Sequence, residues 1–140
     1  MKAYTNVNLV TCDSAFHVYR EGLLVVEDDR IAYCGPYDEN WLGKCSETVD
    51  YEGAWIMPGL VNCHTHSAMA LLRGIRDDSN LHEWLENYIW PAESQFTADL
   101  TTKAVQLALA EMLLSGTTTF NDMYNPQGVD IDRIYQAVRQ

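Results

Sequence analysis

The stretch Pro58-Gly59-Leu60-Val61-Asn62-Cys63-His64-Thr65-His66 constrains the fold more than any other, because it brings two imidazoles to the end of an apolar strand. Trp55-Ile56-Met57 followed by Leu60-Val61 reads as one buried strand, and in a strand residues i and i+2 project from the same face. His64 and His66 are therefore expected to point together, with Cys63 and Thr65 facing away. Neutral imidazole is a favoured ligand of Zn²⁺, so one strand can supply two metal ligands with almost no chain-closure cost. The spacing alone fits a half-exposed histidine pair on a sheet face equally well. The surroundings favour a metal: a Pro-Gly turn precedes the pair, no Asp, Glu, Lys or Arg occurs from Gly53 up to Arg73, and a Ser/Ala/Met-rich segment follows.

Composition removes several classes of partner. The balance of 9 Lys+Arg against 20 Asp+Glu gives a net charge of −11, which repels phosphate backbones and anionic lipid headgroups. No apolar run approaches the ~20 residues of a spanning helix, and the start MKAYTNVNLV lacks the apolar centre of a signal peptide. Neither nucleic acid nor membrane is an expected partner, and the expected location is cytoplasmic. Cys12, Cys34, Cys45 and Cys63 contain no Cys-x-x-Cys pair, so reduced thiols are expected rather than a disulfide framework or a thiolate metal site.

Up to about Gly53 the chain reads as strand and turn. Ala3 to Val10 alternates loosely, while Gly22–Glu27 and Arg30–Gly35 flank the turn Asp28-Asp29 as a β-hairpin. Trp41-Leu42 is expected to pack back on these strands. After the histidines, Asn80 or Ser79 can cap a helix running to Trp90 and stopped by Pro91. Its apolar face would be Leu81, Trp84, Leu85 and Tyr88. Thr97 caps a second helix, with Asp99 in its first turn and Gly116 closing it in the left-handed conformation. Leu100, Ala104, Leu107, Ala108, Glu111 and Leu114 trace its stripe, widened by Val105, Leu109 and Met112, so this helix is expected to be largely covered. Thr117-Thr118-Thr119-Phe120 then reads as a strand and 131–139 as a further helix. The order β, α, α, β, α points to a parallel sheet.

The strings PGLVNCHTH, SAMALLRGIRDD, LHEWLENYIWPAESQFT and GTTTFNDMY resemble the amidohydrolase superfamily, and within it the methylthioadenosine/S-adenosylhomocysteine deaminases and their relatives. The resemblance runs from about Val7 to the last residue. It implies an α/β fold: the N-terminal part of a metal-dependent (β/α)₈ (TIM-like) barrel with a flanking small β-sandwich. Residues 1–54 would be strands of the side sandwich and 55–140 the first βα units of the barrel. Such a barrel typically takes about 250 residues, so a chain of 140 residues is expected to be the leading part of a larger enzyme and inactive alone. The implied activity is hydrolytic deamination of adenine-type nucleosides. A cytosine-, guanine- or triazine-type hydrolase is the enzymatic alternative, and a non-catalytic fragment or interaction module is the alternative of another kind.

Barrel enzymes carry their working groups at the C-terminal ends of strands, which singles out His64 and His66, then Asn121 and Asp122. For Asp122 a loop carboxylate that caps the next segment or pairs with Arg133 is the favoured reading. The resemblance makes His64 and His66 ligands of one divalent ion, Zn²⁺ first and Fe²⁺, Mn²⁺ or Ni²⁺ as alternatives. It also gives Glu93 the ribose hydroxyls of the substrate, since an ionised carboxylate accepts two charge-assisted hydrogen bonds at once. By composition alone Glu93 is a solvated loop acid, and His82 and His17 have no part in the site. No catalytic proton-transfer residue is assigned within the chain; the resemblance puts those groups and the remaining ligands beyond Gln140. The implied partner is a small nucleoside or heterocyclic amine, and the resemblance is compatible with a homo-oligomeric full-length enzyme.

Overall fold

The computed structural model describes residues 1–123 and 131–139. The chain divides into two compact units, Met1–Pro58 and Gly59–Gln140. The first is built on β1 (Lys2–Val10), β2 (Val18–Glu27) and β3 (Arg30–Gly35), followed by the short helix α1 (Glu39–Leu42), β4 (Glu47–Asp50) and β5 (Trp55–Ile56). β1–β2 and β2–β3 are antiparallel, and the expected hairpin closes at Glu27↔Arg30, with Asp28 at a φ of 51°. β4 and β5 both run parallel to the other edge of β1, pairing first Lys2↔Glu47 through Thr5↔Asp50 and then Asn8↔Trp55 and Leu9↔Ile56.

The loose alternation of β1 has a physical cause. Between Tyr4 and Val7 the extra residue lies on β1, with Asn6 at a φ of 52°, and inverts the facing of the residues beyond it; before Leu9 it lies on β2, so Val7 and Leu9 keep one face. Ala3 therefore joins Leu23 and Val25 in one buried cluster, while Val7 and Leu9 join Leu24 in another. Trp41 and Leu42 pack against the first cluster, as expected, and Ile56 packs against the second.

That placement of Ile56 corrects one expectation. Trp55–Ile56 and Leu60–Val61 are not one buried strand: the first pair lies on the edge of β1, and β6 (Leu60–Thr65) begins only after Pro58-Gly59. Proline supplies no N–H for a ladder and breaks the pairing. β6 is not buried either, because its pairing with a single partner strand leaves Leu60 and Val61 51% and 64% exposed.

In the second unit, β6 is followed by a 3₁₀ turn (Ser67–Leu72), α2 (Leu81–Trp84), a π turn (Leu85–Ile89), α3 (Trp90–Glu93), α4 (Ala98–Leu114), β7 (Thr117–Asp122) and α5 (Ile131–Arg139). β6 and β7 pair in parallel, as the element order requires. Asn80 caps α2 by accepting from the Glu83 N–H, and Thr97 caps α4 by accepting from the Leu100 N–H. Gly116 ends α4 at a φ of 83°, a conformation that carries a Cβ penalty for other residues.

Two helix expectations need correction. Pro91 does not stop the helix: the wide turn, in which the Trp90 N–H donates to the Leu85 carbonyl, moves the backbone away from the i−4 carbonyl that a proline ring would strike. The chain then stays helical to Glu93. The extra residue in that turn also rotates the inward face, so Ile89 is 1% exposed whereas Leu81 lies open to solvent. On α4 the buried stripe is Thr101, Ala104, Val105 and Ala108, while Leu100, Leu107 and Leu114 are exposed. The covering surface is the 3₁₀ turn, where Ala68 meets Val105 and Leu109, and it is narrow enough to cover one side of α4 only.

Candidate metal and substrate site

Where β6 ends, the His64 and His66 rings lie with centroids 5.1 Å apart and planes at 76°. They are neighbours, as the spacing predicts. Two imidazoles bound to one Zn²⁺ at about 2.0–2.1 Å, with ~109° between the bonds and ring centres about 1.1 Å further out, have centroids about 5.2 Å apart. The observed centroid separation matches that distance. Among the described residues no group of three or more His, Cys, Asp and Glu gathers to complete such a site.

The strand that carries the rings is irregular at this point. Asn62 pairs with Phe120 and Thr65 with Asp122, so three steps along β6 match two along β7. A bulge of this kind re-aims side chains and removes local ladder bonds. Side chains replace them: Asn62 Oδ1 accepts from the His64 N–H at 3.2 Å, and Asn121 Nδ2 donates to the Cys63 carbonyl at 3.3 Å. Past the bulge the Met123 N–H donates to the Thr65 carbonyl at 2.8 Å. Asp122 then takes both donors of Ser67, the N–H on Oδ1 at 3.1 Å and the hydroxyl on Oδ2. Asp122 thereby ties the end of β7 to the segment after His66. The segment it was expected to cap, 124–130, and the Arg133 side chain lie outside the described residues.

Glu93 ends α3 rather than sitting in a loop. It is half-buried and shares a pocket of about 110 Å³ with His66, Met69, Trp90 and Met123. Burial among these side chains pushes its carboxyl above the ordinary carboxylate range, and the His66 ring pulls the other way. A raised carboxyl facing an imidazole across a pocket differs from the solvated loop acid that composition alone suggests. The structure thus brings Glu93 and His66 together, although the two stand 27 residues apart by their numbering.

The remaining candidates stay out of this site. His82 is an exposed residue in the first turn of α2, and His17 bonds Asp13 at 2.7 Å within the first unit. The four cysteines are free thiols. Sequence reasoning missed Asn62 and Ser67. An Asx residue two positions before a histidine is a known local backbone acceptor, which was a usable signal for Asn62; nothing local marks Ser67, whose partner is 55 residues away. It also missed Arg73, which forks onto both carboxylate oxygens of Glu111 and ties the 3₁₀ turn to α4. No helix among the described residues is long and apolar enough to cross a membrane.

Residues 55–140 match the amidohydrolase family. A 5-methylthioadenosine/S-adenosylhomocysteine deaminase of Bacillus cytotoxicus is 47% identical over 137 residues, covering 98% of this chain and 32% of the relative. Among solved structures, an adenosine deaminase from Xanthomonas campestris with bound zinc superposes with a TM-score of 0.81 at 30% identity, over 99% of this chain and 31% of that one. An atrazine chlorohydrolase from Arthrobacter aurescens TC1, complexed with zinc, gives a TM-score of 0.80 at 22% identity, over 99% of this chain and 33% of that one; this is a likeness of fold alone. The chain therefore spans about a third of the length of these proteins.

Proposed function

The chain belongs to the amidohydrolase family, and on that premise we propose that it is the leading third of a metal-dependent deaminase of adenine-type nucleosides, of the methylthioadenosine/S-adenosylhomocysteine class. In this reading the first unit contributes strands to a side β-sandwich and the second supplies the first βα units of a (β/α)₈ barrel. The observation that carries the proposal is the histidine pair at tetrahedral spacing beside a pocket that also holds Glu93. The relatives named above as deaminases, one of them with bound zinc, support it.

His64 and His66 would hold the divalent ion, most simply Zn²⁺, through neutral ring nitrogens. Bound there, the ion supplies Lewis acidity that makes hydroxide available near neutral pH. In the net reaction C6 of the purine takes up oxygen from water and releases ammonia. Glu93 would accept the two ribose hydroxyls on its two oxygens, each bond strengthened by the carboxylate charge. Because Glu93 and His66 border one pocket, ribose held at the first positions the base near the second. Met69, Trp90 and Met123 line the intervening space with apolar surface.

The test is ammonia release and loss of adenine ultraviolet absorbance in a full-length protein carrying this segment. Adenosine, methylthioadenosine and S-adenosylhomocysteine should be consumed, with activity lost on His64→Ala or His66→Ala. Consumption of guanine, cytosine or a triazine, with the three adenine nucleosides untouched, would replace this reading by the other hydrolase chemistry.

A further inference from the structure

We propose that Asn121 and Asp122, consecutive at the end of β7, are positioning residues for the paired imidazoles. The inference rests on reading His64 and His66 as metal ligands and adds what aims them. Both rings are on exposed residues, so packing against them does not fix their direction, and the backbone that carries them has left the regular ladder. His66 itself sits at φ −127° and ψ 76°, between strand and 3₁₀ turn, where its carbonyl accepts the Met69 N–H at 2.9 Å and no strand ladder holds it.

The last residues of β7 fill that gap in order. Asn121 holds the peptide unit before His64 through the Cys63 carbonyl, and Asn62 takes the N–H of the same unit. The Met123 N–H holds the unit between Thr65 and His66. Asp122 holds the unit after His66 through the Ser67 N–H and locks the neighbouring hydroxyl as well. Ser67 is 1% exposed, so in the folded chain the carboxylate rather than bulk water satisfies its N–H and hydroxyl. A carboxylate accepting an N–H and an O–H is held by charge-assisted bonds on both oxygens. Ligating groups must be held to within about 0.5 Å for a site to be preorganised, and this polar clamp touches the backbone on both sides of the pair, beside the Met69 N–H that donates to the His66 carbonyl at 2.9 Å.

The experiment titrates Zn²⁺ into metal-free full-length protein carrying this segment by calorimetry and reads Co²⁺ visible absorption for ligand geometry. His64→Ala and His66→Ala come first: no zinc binding by the wild type, or binding that survives both substitutions, overturns the metal reading itself. With that binding established, Asp122→Ala should weaken zinc by about 10–100-fold, the range for loss of an outer-shell partner, and alter the Co²⁺ spectrum. Asn121→Ala should act in the same direction by less. Asp122→Asn, which keeps one acceptor for the Ser67 N–H, should recover part of the affinity. Thr101→Ala is the control, since that buried residue bonds the Thr97 carbonyl within α4 and should lower Tm while leaving zinc affinity unchanged. Should Asp122→Ala fail to fold, Asp122→Asn and Ser67→Ala carry the comparison. Wild-type affinity and spectrum in the Asp122 and Ser67 variants, or an equal loss in Thr101→Ala, would show the clamp to be structural only and end the proposal.

Discussion

Replacing Glu93 by Gln keeps the shape of the side chain, removes its charge and turns one acceptor oxygen into a donor. In the proposed geometry each ribose hydroxyl donates to one carboxylate oxygen, and hydrogen bonds to charged groups are worth about 1.5–3 kcal/mol each. The substitution loses one bond and the charge assistance of the other, a sum of about 2–4 kcal/mol. At 1.4 kcal/mol per factor of ten, kcat/KM for adenosine should fall by about 30–700-fold in a full-length protein. Free adenine has no hydroxyls to lose, so its inhibition constant should stay nearly unchanged. Steady-state ammonia release with adenosine and competitive inhibition by adenine measure the two arms on one preparation. Equal losses for nucleoside and base would refute the ribose assignment, because the damage would then lie at the base or the metal rather than at the sugar.

Three further outcomes test the local physics. Asp13 accepts from the His17 ring and the His17 N–H, which lowers its carboxyl to about 2; by carboxyl NMR, His17→Ala should return it towards the ordinary Asp value. Because the folded value is the depressed one, the stabilising contribution is complete above about pH 4, the unfolded value, and is lost as pH falls towards about 2. A wild-type midpoint near the ordinary value would count against the contact. Thr97→Ala removes the acceptor for the Leu100 N–H and should cost about 1 kcal/mol in urea unfolding, whereas an unchanged midpoint would mean that the cap is not formed in solution. Gly59→Ala would drive a Cβ into the Thr118 side chain where β6 starts alongside β7; a marked fall in Tm is expected, and an unchanged Tm would mean that the strands are not in this register.

Local order was legible wherever one residue decides it. Asn80, Thr97 and Gly116 mark helix ends because capping is chemistry within four residues, and the Asp28-Asp29 hairpin closes for the same reason. Burial was less legible, since it depends on what lies opposite. α4 carries apolar residues over a wide arc, and only the position of Ala68 on the 3₁₀ turn selects Val105 and Leu109 rather than Leu107 for cover. Pro91 was misread for a related reason: a helix can widen ahead of a proline when inward packing, here of Ile89, favours continuing it.

The site divides along the same line. Two histidines at strand spacing announce a shared direction, but the strand that carries them is bulged, and spacing alone would have given the right answer only if something restored the aim. That restoration comes from Asn121 and Asp122 on the next strand, more than 50 residues away in the chain, and its cause is the unsatisfied backbone a bulge creates. A bulge leaves N–H and C=O groups without ladder partners, and here polar side chains from the adjacent strand end take them up. The Asn-Asp pair that closes β7 is therefore better explained by the backbone of β6 than by chemistry on a substrate. In the proposed site Asp122 would act through the Ser67 backbone and hydroxyl, and a search confined to candidate metal ligands would pass over it.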